Sequence, residues 1–169
     1  MKNTLLTFCL FVILFSFQPV AQAATSEVTW KDYESYRDIL PGNGNKKAFR
    51  ERTFKALEKH FSKLAAELPE KQILKIEVTD VDLAGDTHAG GINQFRIVKE
   101  IYIPRIEFNY QLLDESGKVI KTEELNVKDM NFLSNSQLKY RNEFLGYEKK
   151  MLDDWFYETF EDNLVKDPS

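Results

Sequence analysis

The stretch that decides the fold is "RIEFNYQLLDESGKVIKTEELNV", residues 105–127. Apolar and polar residues alternate strictly over residues 106–112, which is the pattern of a strand with one face in a core. Residues 114–117 have the composition of a turn, and residues 118–127 return as a second strand. This β-hairpin predicts a mostly antiparallel sheet.

Two more strands are predicted upstream of the hairpin. In "KQILKIEVTD", residues 71–80, apolar and polar residues alternate from Leu74 to Thr79. The less regular run from Phe95 to Ile103 also predicts a strand. Pro104 separates this run from the hairpin, because proline cannot donate a hydrogen bond to a strand ladder.

Helical periodicity lies on either side of these strands. Apolar residues recur at spacings of three and four between residues 46 and 68, which predicts an amphipathic helix with Asn45 as its N-cap. Residues 138–164 show a second helical pattern, and a short strand at residues 28–30 precedes the first helix. The order is therefore β-α-β-β-β-β-α. We expect an α+β domain with a sheet of about five strands and both helices packed on one face.

The first 23 residues have the pattern of a secretory signal peptide. Lys2 precedes an apolar stretch over residues 5–17, and residues 21–23 (Ala-Gln-Ala) supply a cleavage site. The apolar stretch is shorter than the about 20 residues that span a bilayer. We expect export to the periplasm, cleavage after Ala23, no membrane span after cleavage and a single domain over residues 24–169.

Composition excludes several classes of function. The formal net charge of −4 becomes −5 without Lys2, which argues against nucleic acid as a partner. The only cysteine, Cys9, lies in the leader, so the exported chain has no disulfide or thiolate nucleophile. His60 and His88 belong to no hydrolase motif, and His60 and Asp153 are predicted on solvated helix faces. We therefore predict no catalytic residue and no cofactor.

Acidic and histidine side chains crowd the segment "DVDLAGDTHAGG", residues 80–91: Asp80, Asp82, Asp86 and His88. The alternating aspartates resemble the opening of a calcium-binding loop. The match fails at Ala84, where a third ligand belongs, and at Gly91, where a glutamate should close the site. An irregular metal site that includes the histidine stays open. The favoured alternative is a turn in which the aspartates cap backbone N–H groups.

Two other groups are candidate sites. Lys46 and Lys47 follow the glycine-rich segment at residues 41–45 and start a helix, so they are candidates for anion binding. The segment is not a Walker motif. Trp155 and Tyr157 flank a third aromatic residue on a helix, where adjacent side chains cannot all face one way. Both are candidates for a partner surface, with Tyr157 expected to face outward.

Four segments together resemble the family of exported proteobacterial proteins catalogued as domain of unknown function 3016: "IEVTDVDLAGD", "FRIVKEIYIPRIEFNYQLLDESGKVI", "VKDMNFL" and "YEKKMLDDWF". The resemblance covers residues from Val28 to about Phe160. It implies a periplasmic location, and it implies no activity, ligand or site residue. We expect a non-enzymatic module that binds a periplasmic protein or envelope component through its open sheet face or the loop at residues 80–91. The alternative is a metal-dependent protein that uses residues 80–88.

Overall fold

The structure, a computed structural model, describes residues 22–87, 95–134 and 139–164. The strands and α-helices are β1 (Thr25–Trp30), α1 (Lys46–Ala65), β2 (Ile73–Asp82), β3 (Arg105–Leu113), β4 (Val119–Lys128) and α2 (Gly146–Phe160). Single 3-10 turns lie at Tyr33–Ser35 and Glu161–Asn163. The predicted α+β architecture is confirmed, with four strands in the described sheet instead of about five.

The sheet is mixed, with the strand order β1-β2-β3-β4. β1 runs parallel to β2, and α1 supplies the crossover that parallel neighbours need. β2, β3 and β4 are antiparallel neighbours, which confirms the hairpin. At its turn the Asp114 N–H donates to the Lys118 carbonyl at 3.0 Å. Gly117 adopts φ +81°, a conformation that favours glycine.

The strand predicted over Phe95–Ile103 is wrong. This segment makes a single isolated bridge, between Ile97 and Asp86, and is otherwise irregular. β2 already lies between β1 and β3, so neither of its edges is free for another strand. Phe95 and Ile101 are 65% and 75% exposed, so the apolar residues of the segment do not enter the core.

Both helices pack on one face of the sheet, as predicted. The ring of Phe108 on β3 contacts Phe61 of α1 at 6.0 Å and Trp155 of α2 at 4.8 Å between centroids. The same face carries the buried residues of the two central strands: Leu74, Ile76, Val78, Val81, Ile106, Phe108, Tyr110 and Leu112. The opposite face of the central strands is polar and open.

The helix α1 begins where the sequence predicts. The Asn45 side chain accepts the Ala48 N–H at 2.9 Å and so caps the helix. His60 is only 7% exposed, so its predicted position on a solvated flank is wrong. The histidine follows Leu57 by three residues and precedes Leu64 by four, which places it on the buried face.

The helix α2 begins at Gly146, eight residues later than its sequence pattern. Leu145 adopts φ +59°, a left-handed conformation that separates the preceding turns from the helix. A Cβ on Gly146 would lie 2.3 Å from the Tyr140 carbonyl oxygen. The backbone at Gly146 therefore lies so close to Tyr140 that only glycine fits without a shift. Within the described residues, no helix is both long and apolar enough to cross a membrane.

Candidate functional site

The Asp80 carboxylate binds two backbone N–H groups and the side chain of Arg37. A bulge at Thr79 shifts the register of β2, which keeps Val81 in the core and Asp80 among the polar residues. The Asp80 Oδ1 accepts the N–H groups of Arg37 and Val81, each at 2.9 Å. The Nε of Arg37 lies 3.3 Å from Oδ2. The carboxylate therefore joins β2 to the segment that precedes α1.

Asp82 and Asp86 have different surroundings. Asp82 accepts from Arg105, its cross-strand partner on β3, at 2.7 Å. Asp86 exchanges backbone hydrogen bonds with Ile97 at 2.9 and 2.8 Å. His88 lies outside the described residues. In the part of the chain that the structure describes, no three or more His, Cys, Asp or Glu side chains gather where they could hold a metal ion.

The other candidate residues are not brought together into a site. Lys46 and Lys47 are exposed on the first turn of α1, and Lys47 lies 3.9 Å from Glu51 on the next turn. Tyr157 is 39% exposed and faces outward as predicted, and its hydroxyl donates to Glu67 at 2.9 Å. Trp155 is 7% exposed in the core, so it does not belong to a partner surface.

A cavity of about 310 Å³ lies between the start of α2, the loop after β2 and the segment before α1. Its apolar wall comes from separate parts of the chain: Leu40, Pro41, Phe49, Leu83, Ala84, Val98, Phe132, Phe144, Leu145 and Tyr147. The described polar lining consists of Arg96, Tyr140, Arg141, Glu143, Glu148 and Lys150. Apolar walls with a few polar groups are typical of small-molecule sites.

Arg96 fixes one side of the cavity. Its two terminal nitrogens bind both carboxylate oxygens of Asp38, at 2.9 and 3.0 Å. The same nitrogens donate to the carbonyls of Leu40 at 2.8 Å and Gly85 at 2.9 Å. A bidentate guanidinium pair of this kind is geometrically restrictive. Arg96 therefore locks the loop after β2 onto the segment before α1.

Glu148 is the buried acid of the cavity wall. It is 2% exposed and lies in the first turn of α2, where its Oε1 accepts the Ala84 N–H at 2.8 Å. Burial raises the pKa of Glu148, against the lowering effect of that hydrogen bond and of the Arg96 charge. The carboxyl joins α2 to the loop after β2, and burial favours its neutral form.

A buried ionic network lies beside the cavity, between α1 and α2. The His60 Nε2 lies 2.6 Å from Oδ1 of Asp153 and 3.1 Å from the Lys149 carbonyl. Both of these neighbours are acceptors, so Nε2 carries a proton. The other oxygen of Asp153 accepts from the hydroxyl of Tyr140, which lines the cavity, and from Lys139 at 3.1 Å.

Asp153 stays ionised within this network. It is 4% exposed, which corrects its predicted position on a solvated face. Burial acts to raise the pKa of Asp153, but the hydrogen bonds from His60 and Tyr140 and the charge of the histidine lower it to about 2. Burial also raises the pKa of Tyr140, to about 12. Because His60 is enclosed, the pair joins the two helices away from solvent.

The sequence alone did not reveal the cavity. Its described lining runs from Leu40 to Lys150 and is drawn from loops as well as from both helices. Glu148 lies in the first turn of α2, but the predicted helical pattern begins ten residues earlier, at residue 138, and so did not place this carboxylate at a helix start. Nothing in the sequence pairs Glu148 with Ala84, because the hydrogen bond joins a loop and a helix that are 64 residues apart in the chain.

Fold and site together define a small α+β domain that carries an apolar-walled cavity beside a buried ionic network. A family model described as "Protein of unknown function (DUF3016)" matches residues 24–158, and the chain belongs to this family. Comparison with curated proteins found no match, and comparison with solved structures found none.

Proposed function

We propose that the protein is an exported, non-enzymatic binding module of the bacterial cell envelope, and that its binding site is the cavity at the start of α2. The cavity carries this proposal, because its wall is mostly apolar with a few polar groups, as in ligand pockets, and its volume of about 310 Å³ lies within their range of about 300–1,000 Å³. Its described lining contains no serine, threonine, cysteine or histidine. The lining therefore favours binding over nucleophilic or histidine-based catalysis.

The open sheet face is the weaker location for this function. Its charged groups largely pair with one another: Lys75 lies 3.2 Å from Glu27, and Lys31 lies 3.8 Å from Glu77. The depression on this face has mostly polar residues around it, including Asn109. A surface of this kind offers little apolar area to a partner, whereas the cavity combines apolar walls with a buried acid.

Export rests on the leader and on the position of the family match. A basic residue, an apolar stretch and a small-residue motif occupy residues 2–23 in the order of a signal peptide. The family match begins at Ala24, directly after the proposed cleavage site. Fractionation of cells that produce the full chain should recover a periplasmic form whose mass corresponds to a start at Ala24. Recovery of an uncleaved cytoplasmic protein would contradict export.

Binding can be tested with a neutral apolar dye. We expect N-phenyl-1-naphthylamine, excited where tryptophan does not absorb, to become fluorescent with the purified protein. The substitution Val98→Trp should weaken this signal, because Val98 lines the cavity at 40% exposure and a larger side chain obstructs it. Ile101→Trp is the matched control, since Ile101 lies three residues further on and is 75% exposed. Equal dye binding by both variants would refute the cavity as the site.

A further inference from the structure

We infer that the cavity binds a single-chain amphiphile with an anionic head group, with the chain in the apolar interior and the head beside Arg141 at the opening. This inference rests on the proposed function and names the class of ligand that the same site takes. The three features that carry it are the apolar wall, the paired state of the inner cations and the position of Arg141.

The interior suits an aliphatic chain. Phe49 and Phe144 meet edge to face at 6.0 Å between centroids, and Phe132 meets Tyr147 in the same way at 4.9 Å. All four rings line the cavity, so two aromatic pairs form much of its wall. An apolar chain gains free energy by leaving water for such a surface.

The inner charges are already compensated. Arg96 binds Asp38 through two hydrogen bonds, and Lys150 forms an ion pair with Asp154. Glu148 is enclosed at 2% exposure and holds the Ala84 N–H. A ligand charge placed among these groups would lose its hydration without gaining a free partner, so the charged part of a ligand belongs outside the interior.

Arg141 supplies the charge at the opening. The residue is exposed and also lines the cavity, so it lies where the cavity meets solvent. Of the cations among the described lining residues, Arg141 alone has no ion pair within the described chain. A guanidinium matches the two oxygens of a carboxylate head group. Glu143, the exposed carboxylate of the described lining, is paired with Lys149 at 2.7 Å, so Arg141 is the charge left for a head group and favours an anionic one.

The test compares two ligands that share a ten-carbon chain, decanoate and decan-1-ol. Each is titrated against the dye bound to the purified protein. Decanoate should displace the dye at about fivefold lower concentration than decan-1-ol, the effect of one exposed ion pair. Arg141→Gln should remove this difference between the two ligands. Arg141→Lys should keep most of it, and Lys118→Gln removes the same charge at the remote hairpin turn and should change nothing.

The outcomes separate the two proposals. If the dye binds but decanoate and decan-1-ol displace it equally, or if Arg141→Gln leaves the preference for decanoate intact, the anionic head group is refuted and the binding function stands. If the dye does not bind the unmodified protein, and neither ligand changes the melting temperature, the binding function itself is refuted. Loss of the preference in Lys118→Gln as well would show a general charge effect and also refute a role for Arg141.

Discussion

Glu148 couples the stability of the fold to pH. Because burial raises the pKa of this carboxyl above its ordinary 4.5, the folded protein holds the proton more tightly than the unfolded chain. Unfolding free energy therefore falls as the pH rises through the interval between the two pKa values. A buried acid that lowers stability at neutral pH, in the wall of a cavity, is more readily explained by a role in the site than by folding.

The substitution Glu148→Gln tests this account. The amide still accepts the Ala84 N–H but cannot ionise, so we expect the unfolding free energy at pH 8 to rise by roughly 1 kcal/mol. At pH 4 the variant and the original protein should agree. Urea denaturation at both pH values measures the difference, with the exposed Glu158→Gln on the same helix as the control. A large loss of stability at pH 8 would instead mean that Glu148 is ionised and held by Arg96.

Asp153 has the opposite dependence on pH. Its pKa falls from 3.8 to about 2 on folding, so its contribution is complete above pH 3.8 and is lost as the pH drops through about 2. Asp153→Asn should cost about 2.5 kcal/mol of unfolding free energy at pH 7, because His60 and Lys139 lose their anionic partner. The deficit should shrink between pH 4 and pH 2 in urea titrations.

Asp154→Asn is the matched control for this substitution. Asp154 has a side chain that is 57% exposed and, among the described residues, pairs with Lys150 on the same helix, whose side chain is 8% exposed. Lys150 keeps Asp129 at 4.0 Å as a second anionic neighbour, so the control should cost about 1 kcal/mol at most. An equally small effect at Asp153 would show that its ion pair does not hold α1 and α2 together.

The burial of His60 and Asp153 was accessible from the sequence. Asp153 precedes Phe156 by three residues and Phe160 by seven, so it lies on the apolar face of its helix. Residue type alone predicted that both side chains would face solvent, since charged residues are seldom fully buried unless they are paired. Periodicity was the better guide here, and the pairing across two helices is what reverses the usual preference.

Gly146 determines how α2 begins. Helix propensity alone predicts that Gly146→Ala would stabilise the protein by about 1 kcal/mol. The added Cβ would lie 2.3 Å from the Tyr140 carbonyl oxygen, so we expect a loss of about 2 kcal/mol instead. Thermal melts of this variant and of Ser62→Ala, an exposed position on α1, distinguish the two effects. A higher melting temperature for Gly146→Ala would contradict the close approach.

The turn at the end of β2 gives a prediction about metals. Asp80 and Asp82 each have an arginine partner, so we expect millimolar calcium or zinc to leave the melting temperature unchanged. A metal at 100 times its dissociation constant would add about 2.7 kcal/mol, which a melt detects. The test also covers His88, since it uses the whole chain. A rise that Asp82→Asn abolishes would restore the metal site.

Strand prediction was correct for β2 and β3, each of which has one buried face. It was wrong for Phe95–Ile103, which has no buried face. Apolar and polar residues alternate along β2 and β3 because one face of each strand packs in the core and the other faces solvent. Phe95–Ile103 is rich in apolar and β-branched residues yet cannot pair beside β2, because β2 is paired on both sides. Local preference cannot reveal which edges are occupied, since occupancy depends on the whole topology.

The cavity is a property of the whole molecule. It exists because the segment before α1, the loop after β2 and the start of α2 meet, and Arg96 and Glu148 make two of the contacts that hold them together. Each contact joins residues more than ten positions apart, so no local pattern contains it. The helix positions were predictable from periodicity, whereas the site lies in the connections between elements.

The N-terminal limit of the folded unit gives the last prediction. Thr25–Trp30 pairs with β2 from its first residue, and Ala24 is 4% exposed, so the fold needs the chain from about residue 24. A protein that starts at Ala24 loses one described backbone hydrogen bond, from Lys71 to Gln22 at 3.0 Å, and should keep its stability within about 1 kcal/mol.

A start at Val28 removes half of β1 and the buried Ala24, so we expect a loss of about 2 kcal/mol or more in urea titrations. The two truncations bracket the position at which a leader can be removed without loss of the edge strand. If the chain from Val28 were as stable as the chain from Ala24, β1 would contribute nothing before Val28. Cleavage after Ala23 would then have no structural preference over a site several residues later.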